Sequence, residues 1–580
     1  MKTSGLKKLS INLGLMLPIV LFLVFSARPN PTTAEETDTG NDADNAIAAL
    51  LEGRQNHLLA KADFSKHADV LSDLYRLNNN QLLWLGETRA ETNIEQALAM
   101  LGSADQEGLD PVDYDTEALK VNLPLALTLP QTSIDELAKF DTALSIALVR
   151  YASDLHHGRV NPQQLRYPTP FGNKAAIGLA DLIKKALDNR QLAELPGQLQ
   201  PKFKQYQQLK NILATFRAAP ADADHETLVF QKPLRPGENH PQMAQLHERL
   251  ITLGALPDRE HGKPAEKTYN KVLQEGVKNF QRENGLKADG VIGDETAARL
   301  NQSLRQKISR IELAMERLRW LPDDIAGPMI IVNIPAFQLW AFNSPDDSDI
   351  LNMKVIVGKA LKNQTPVLFE EMKYLEFMPY WNIPKSIMDK EILPKLYTDF
   401  SYLQNQDIEL VQRSASDKTE SWDNIFDDIR RGRVRARQRP GKRNPLGKVK
   451  FIFPNKEDVY LHDTSTHSLF SRSRRDFSHG CVRVAEAEKL AEFVLTNQPE
   501  SSWDSTAIQE AMSGSKTRRV TLKKPIPVLF FYATTFVDHN NQIHFYRDIY
   551  EQDAALEKAL GKFPNSENDS LLTAKNTTSS

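Results

Sequence analysis

The pattern of apolar residues changes character near residue 329, and this change constrains the fold more than any other feature. Before it, apolar residues recur at helical spacing, as in Leu246, Leu250 and Leu253. After it, short runs rich in β-branched and aromatic residues, such as 329–342 and 353–358, are separated by turn-forming residues. The chain is therefore predicted to be multidomain α+β, with a helical part followed by a mainly β domain.

Length, charge and cysteine content exclude several classes of protein. A chain of 580 residues predicts about four domains. Its 72 Lys+Arg against 75 Asp+Glu, a net charge of −3, exclude a globally basic nucleic-acid binder. The single cysteine, Cys481, excludes an intramolecular disulfide and a cysteine-rich metal centre.

Residues 1–34 have the layout of an export signal. A basic start precedes an apolar stretch over 11–27, and Thr32 and Ala34 offer small residues before a cleavage point. An apolar stretch of about 17 residues is also near the minimum that crosses a bilayer. The segment is thus predicted to be either a cleaved signal peptide or an N-terminal membrane anchor formed by residues 7–27. No second long apolar run follows, so the rest of the chain is expected outside the cytoplasm.

The remainder divides where composition changes. Residues 35–45 are acidic and polar, which predicts a linker. The other predicted units are a helical scaffold domain (46–225), a small three-helix module (236–302), a connecting helix (303–328), a mainly β domain (329–550), and a C-terminal helix with a disordered tail (551–580). Residues 384–445 interrupt the β pattern as an arginine-rich insert, either a mobile solvated loop or a lid whose arginines meet anionic substrate.

Cys481 and two preceding histidines are the residues best suited to chemistry. A free thiol has a pKa near ~8.5, so a nucleophilic cysteine needs a base or an electropositive setting. His462 and His479 could supply the base, and Gly480 would let backbone amides approach an oxyanion. These residue types favour a Cys–His acyl-transfer site, although sequence proximity does not fix geometry.

Two other interpretations of the same residues stay open. A lone cysteine is often a buried, inert apolar side chain. Histidine and cysteine are also zinc ligands, and His462, His467, His479 and Cys481 could form a zinc site. Their spacings fit no common structural zinc pattern well, and all four together would leave no open position for catalysis.

Residues 280–300 carry a recognisable set of short motifs. They contain the pairs Phe280-Gln281, Gly285-Leu286 and Asp289-Gly290, followed by Gly293 and Thr296. This pattern resembles the three-helix peptidoglycan-binding domain. The resemblance implies a cell-wall-binding role for 236–302, with a docking or spacer role as the alternative.

The segment around the cysteine carries a second and more specific resemblance. His462, then 15 residues, then Ser-His-Gly-Cys-Val-Arg (478–483) resembles the signature of L,D-transpeptidases with a YkuD-type catalytic domain. The layout of the chain is similar to the large, YcbB-type members. Further similar segments are 331–340, 355–358, 365–366, 374–383, 437–441, 444–451, 525–532 and 548–550.

The resemblance implies a role for each matching residue. Cys481 would be the nucleophile, His462 the general base, and the main-chain carbonyl of Asp463 would orient the imidazole. The amides of Gly480 and Cys481 would form the oxyanion hole. The substrate-binding residues would be Tyr460, Ser478, His479 and Arg483.

The resemblance also implies the reaction. The thiolate would attack the diaminopimelate carbonyl of a stem tetrapeptide, release D-Ala and form a thioester, which a second diaminopimelate amine would resolve into a 3→3 cross-link. No metal or cofactor would be needed, and carbapenems would acylate Cys481. The alternatives are L,D-carboxypeptidase or endopeptidase activity with water as acceptor, and a non-catalytic wall-binding scaffold with an inert thiol.

The same resemblance predicts partners and location. The partners would be peptidoglycan stem peptides and glycan, and other cell-wall synthesis enzymes are also considered, but no nucleic acid. Contact with a membrane would be made only through the N-terminal segment. The protein would be periplasmic, either released or anchored to the inner membrane by residues 7–27.

Overall fold

The computed structural model describes residues 39–86, 90–168, 171, 174, 177–219, 226–257, 260, 267–323, 327–344, 350–412, 425–538 and 540–561. The predicted signal peptide or anchor (1–34) and most of the predicted disordered tail lie outside these residues. Across the described ranges, no helix combines the length and the apolar character needed to cross a membrane.

Helices build the first part of the chain. They are α1 (Thr39–Gly53), α2 (Ala68–Leu77), α3 (Glu91–Gly102), α4 (Thr116–Thr128), α5 (Ile134–His157), α6 (Leu179–Asp188), α7 (Leu195–Leu199) and α8 (Lys204–Arg217), joined by short 3-10 turns. Helix α5 is buried over most of its length. Its Asp141 accepts hydrogen bonds from the backbone N–H groups of Leu83, Trp84 and Leu85, which fixes a loop against the helix.

One local prediction in this region is wrong. Helix α1 begins at Thr39, so the predicted linker 35–45 is helical from that residue onward. The reason is that Ala43 and Ile47 are buried in the scaffold, which stabilises the helix despite its acidic start. Ser133 precedes α5, and the spacing to Glu136 matches a capping box, but the Ser133 side chain makes no capping hydrogen bond.

The three-helix module consists of α9 (Met243–Thr252), α10 (Lys271–Glu283) and α11 (Asp294–Leu300) around its own apolar core. Gln281 is 1% exposed and explains the Phe-Gln motif. Its side-chain amide donates to the Val291 carbonyl (2.9 Å) and accepts from the Gly290 N–H (2.9 Å). Gly290 has a φ of +73°, which suits glycine in this turn. The motif therefore ties the α10–α11 connection to the core.

Helix α12 (Leu304–Arg319) connects the module to the β domain. It begins with a capping box between Ser303 and Gln306. The helix carries buried arginines as well as apolar residues, and Arg317 forms a 2.6 Å ion pair with Asp553. One continuous apolar cluster includes residues of both the scaffold and the β domain, so these two predicted units pack as one body across α12.

A large sheet forms the β domain. Its strands are β1 (Met329–Asn333), β2 (Gln338–Phe342), β3 (Leu351–Gly358), β4 (Leu368–Phe377), β8 (Val449–Ile452), β9 (Leu461–His462), β10 (Asp476–Ser478), β11 (Val482–Val484) and β12 (Arg518–Phe531). The order is β10-β3-β11-β9-β8-β4-β12-β1-β2, and β2 also pairs with β3, which closes the sheet on itself. Helices α17 (Ala487–Thr496), α18 (Ser505–Ser513) and α19 (Gln552–Ala559) and a hairpin of β13 (Thr535–Val537) and β14 (Ile543–Phe545) complete it.

The insert 384–445 is a folded unit in its described part. It contains α13 (Lys385–Ile387), a π-helical turn (Met388–Ile392), α14 (Leu393–Thr398), α15 (Tyr402–Asn405) and α16 (Ile425–Arg430). Strand β5 (Trp381–Asn382) and the insert's β6 (Ile408–Gln412) and β7 (Val434–Gln438) form a separate sheet, and the whole has its own apolar core. Ion pairs within the insert engage several of its arginines, namely Arg431, Arg433, Arg437, Arg439 and Arg443.

The multidomain α+β prediction is thus confirmed, with helices first, a three-helix module next and a mainly β domain last.

Candidate active site

Two neighbouring parallel strands, β9 and β11, place the candidate catalytic residues on one sheet face. Val482 lies opposite Leu461, and Arg483 lies opposite His462. Leu461 and Val482 are 0% exposed and face the core. Because side chains alternate along a strand, His462 and Arg483 project from the other face. The Val482 N–H donates to the Tyr460 carbonyl at 3.1 Å, so Tyr460 lies beside Cys481 on that same face.

The same face carries a row of charged side chains across neighbouring strands. In the paired registers, His462 faces Lys450 of β8, and Lys450 faces Glu376 of β4. The Lys450 ammonium lies 3.8 Å from the centre of the Tyr460 ring. Burial lowers the pKa of Lys450 from its usual value, while Glu376 opposes this shift. Arg483 and Lys450, on either side of His462, therefore make the floor of the site electropositive.

Cys481 is half-buried in this setting. Its Sγ donates to the Asp458 carbonyl at 3.8 Å. Burial raises the pKa of the thiol, while hydrogen bonds from the Tyr460 backbone N–H and hydroxyl and the charge of Lys450 lower it. The surrounding donors thus favour a thiolate once a base removes the proton, but burial keeps the resting group protonated.

His462 is 5% exposed and has its ring orientation fixed. Its Nδ1 lies 2.5 Å from the Asp463 carbonyl oxygen, and because a carbonyl can only accept, Nδ1 carries the proton. Nε2 is therefore left with its lone pair. Burial, and secondarily the Arg483 charge, lower the pKa of His462 to about 3, so the resting imidazole is neutral. The structure shows no hydrogen bond between the imidazole and the thiol, both of which lie in its described part.

Gly480 is held by contacts on both sides. Its φ is +118°, a value that favours glycine. Its N–H donates to the Ser478 hydroxyl (3.1 Å), and its carbonyl accepts from the Thr365 hydroxyl (2.7 Å). The Ser478 side chain thus folds back on the loop and accepts from the Gly480 amide, and the oxyanion role of this amide stays a prediction. The Ser478 hydroxyl in turn donates to the Cys481 carbonyl at 2.5 Å.

The remaining predicted residues lie around the thiol in different roles. His479 projects toward the insert, and its Nε2 lies 3.1 Å from Glu391 Oε1. Burial lowers the pKa of Arg483, and its Nε has no hydrogen-bond partner among the described residues. A half-buried guanidinium in this state is suited to bind a carboxylate of a substrate.

The residues of the zinc alternative are not brought together. His467 Nε2 lies 3.6 Å from the Asp463 side chain, and His479 contacts the insert instead. Within the described ranges, no three His, Cys, Asp or Glu side chains are grouped so that they could hold a metal ion.

Sequence reasoning missed two supporting residues. Lys450 stands between the buried Val449 and Phe451, and this alternation was the available signal that it faces the site. Asn455 fixes the loop that presents the Asp458 carbonyl to the thiol. Its side chain contacts backbone groups of Phe453, Glu457 and Val459, an Asx-type turn that Asn favours.

Comparisons with known proteins agree with this architecture. Residues 327–517 match the family model described as "L,D-transpeptidase catalytic domain". Residues 239–300 match the "Putative peptidoglycan binding domain", and 69–213 match the "Scaffold domain". The β domain is therefore of the L,D-transpeptidase class of enzymes. The chain thus combines a region similar to the L,D-transpeptidase catalytic domain with a region similar to a peptidoglycan-binding domain.

Individual relatives match only in part. A Haemophilus influenzae protein named "Putative L,D-transpeptidase" is 31% identical over 256 residues, which are 43% of this chain and 49% of that protein. This chain thus spans about half the length of that relative. A solved L,D-transpeptidase from Xylanimonas cellulosilytica (residues 123–326) is 15% identical, with 53% of this chain and 100% of that one covered and a TM-score of 0.15.

Proposed function

We propose that this protein is an exported L,D-transpeptidase that forms 3→3 cross-links between diaminopimelate residues of peptidoglycan through a Cys481 thioester. The observation that carries the proposal is the shared sheet face of His462 and Cys481, with the imidazole oriented by the Asp463 carbonyl. The peptidoglycan-binding match over 239–300 supports peptidoglycan as the substrate.

Activation of the thiol is the first step. In the resting site both groups are neutral, because burial raises the pKa of Cys481 and lowers that of His462. His462 Nε2 is the free basic atom and would take the thiol proton, while the Asp463 carbonyl stabilises the resulting imidazolium through Nδ1–H. Tyr460 and Lys450 stabilise the thiolate.

Acylation follows at the donor stem. The thiolate attacks the carbonyl between diaminopimelate and D-Ala, His462 returns the proton to the leaving D-Ala amine, and a thioester remains. The Cys481 amide is the candidate oxyanion donor, since the Gly480 N–H is held by Ser478. Arg483, whose Nε has no partner among the described residues, would pair with a carboxylate of the stem peptide.

Resolution of the thioester decides the product. The side-chain amine of a second diaminopimelate gives a 3→3 dimer, whereas water gives a tripeptide and would make the enzyme an L,D-carboxypeptidase. The insert adjoins the site through the His479–Glu391 contact, and we propose that it acts as a lid that limits entry of water. Residues 1–34 would direct the protein to the periplasm, as a signal peptide or an anchor.

Product analysis by mass spectrometry tests the proposal. The chain from residue 35 is incubated with tetrapeptide muropeptides beside the variants Cys481→Ala and His462→Gln, with His57→Gln in the scaffold as a matched histidine control. The expected result is a dimer lacking one D-Ala, formed by the wild type and His57→Gln only. Acylation of Cys481 by a carbapenem, seen as a mass increase, checks the nucleophile independently.

The other outcomes are equally informative. Tripeptide without dimer would replace the transpeptidase proposal with the carboxypeptidase alternative. Identical products from wild type and Cys481→Ala would remove Cys481 as the nucleophile and favour a wall-binding scaffold.

A further inference from the structure

A cleft of about 400 Å³ lies between the three-helix module and the β domain. One wall is the end of α10 and the following turn, residues 282–288. The other wall is formed by residues 471–475 and by Tyr546 and Arg547. The two walls are held together by the His544 contact to the Glu283 carbonyl (3.0 Å) and by the Arg547–Glu295 ion pair (3.3 Å).

The cleft is strongly basic. Seven of its 19 lining residues are Lys or Arg, and Glu295 is the acidic residue that lines it. Three of the seven cations have carboxylate partners: Arg474, Arg547 and Lys287 pair with Asp476, Glu295 and Asp289. Arg282 also interacts electrostatically with Glu275 and Glu283. The charges of Arg472, Arg475 and Lys354 are therefore the ones that pair with no described carboxylate.

The other four cations of the cleft, Arg282, Lys354, Arg472 and Arg475, form no ion pair with a described residue. The Arg475 guanidinium donates to the backbone carbonyls of Val355 (3.1 Å) and Phe337 (3.0 Å), and burial lowers its pKa to about 10. Arg472 lies over the Phe477 ring at 5.4 Å. Arg282 contacts the neutral amide of Asn279. Lys354 is exposed on β3. In a cleft with protein walls, such an excess of positive charge attracts an anion.

We propose that this cleft binds the carboxylate-bearing peptide of a second peptidoglycan strand. Guanidinium groups match carboxylates in planar, bidentate geometry, and the cleft also offers apolar surface from Leu286, Ala336 and Ile549 for aliphatic side chains. Glycan alone is neutral apart from its peptides and would not use the positive charge. The proposal rests on the proposed function, because it assigns the cleft to the acceptor substrate of the same reaction.

The position of the cleft suits an acceptor. Residues 471–475 lead directly into β10, which ends at Ser478, three residues before Cys481. Six residues of extended chain, from Arg475 to Cys481, span at most about 20 Å. A tetrapeptide stem spans about 14 Å when extended, so a peptide that starts in the cleft would bridge most of this maximum separation.

A charge-reversal variant tests the cleft. Lys354→Glu/Arg472→Glu changes two exposed cations that pair with no described acid, and Lys185→Glu/Lys204→Glu in the scaffold is the matched control. In the Cys481→Ala background, affinity is measured for a disaccharide-tetrapeptide and for a chito-oligosaccharide without peptide. We expect the cleft variant to bind the tetrapeptide probe about tenfold or more weakly, with the loss reduced at high salt, and the control to be unchanged.

The active enzyme supplies the second readout. With Cys481 present, the cleft variant should show a raised KM for the acceptor stem while carbapenem acylation stays normal. Unchanged tetrapeptide affinity with normal acylation would overturn the cleft proposal alone. Equal loss of chito-oligosaccharide binding would overturn the assignment to peptide. If carbapenem failed to acylate even the wild type, the proposed function itself would fail.

Discussion

Gly447 lies in the turn before β8 and approaches Asp463, the residue whose carbonyl orients His462. Its φ is +64°, and a Cβ added there would lie 2.3 Å from Asp463 Oδ2 and 2.4 Å from its Cγ. The Asp463 carboxylate is nearly buried and accepts from the Lys448 N–H at 2.9 Å. Gly447→Ala would therefore force this carboxylate away from its hydrogen bond.

The cost has two parts that can be separated. An alanine with positive φ costs about 1–2 kcal/mol. Displacing the carboxylate leaves buried polar groups unpaired and costs about 1–3 kcal/mol more. Gly432 is the matched control, because its φ is +73° and a Cβ would meet nothing within 4 Å. Gly432→Ala should therefore lose only the free energy that the positive φ costs an alanine.

The assay is thermal unfolding of both variants, with cross-linking measured at a temperature where each is folded. For a domain of about 200 residues, 1 kcal/mol shifts Tm by about 2–4 °C, so an extra cost of about 1–3 kcal/mol should make Gly447→Ala melt about 2–12 °C below Gly432→Ala. It should also lose activity, since the backbone at Asp463 holds the imidazole. Equal melting temperatures and equal activity for the two variants would refute the steric argument.

Three further predictions follow from buried groups. Folding lowers the pKa of His462 to about 3, so below pH 6.5 the unfolded chain takes up a proton that the folded chain does not, and the stability present above pH 6.5 is lost as the pH falls toward 3. The melting temperature of His462→Asn should therefore depend less steeply on pH between pH 7 and 4.5 than that of the wild type. An identical pH dependence of the two melting temperatures would contradict this prediction. Arg317→Met leaves Asp553 buried without its ion-pair partner and should destabilise by about 3–5 kcal/mol in urea unfolding, with part recovered in Arg317→Met/Asp553→Asn. Asn444 is 0% exposed, donates to the Pro379 carbonyl at 2.9 Å and accepts from the Leu446 N–H at 2.8 Å. Asn444→Ala should therefore lower the free energy of unfolding by about 2–4 kcal/mol. A decrease below ~1 kcal/mol in urea unfolding would show that these hydrogen bonds do not hold the turn.

The local spacing of apolar residues predicted secondary structure correctly where residues close in sequence decide it. The helical spacing before residue 320, the alternation after 329 and the Phe-Gln motif of the module each predicted the correct element type. The linker prediction failed at Thr39 because tertiary burial of Ala43 and Ile47 outweighs the polar composition of the segment. The insert 384–445 likewise folds around an apolar core that its arginine-rich sequence obscures.

The sequence by itself determined which residues can do chemistry. One cysteine, preceded by histidines at 462 and 479 and a glycine at 480, limited a thiol nucleophile to a single position and carried the resemblance to the L,D-transpeptidases. It could not determine which histidine shares a face with the thiol, because that depends on strand register between segments far apart in sequence.

Only the tertiary structure decided the rest. The pairing of β9 with β11 places His462 beside Arg483, and that of β8 with β9 adds Lys450. The Ser478 hydroxyl folds back and accepts a hydrogen bond from the Gly480 N–H. The basic cleft forms where the three-helix module lies against the β domain. Each of these is a contact between separate elements. Periodicity fixes the face on which a side chain projects, but not the partner that this face will meet.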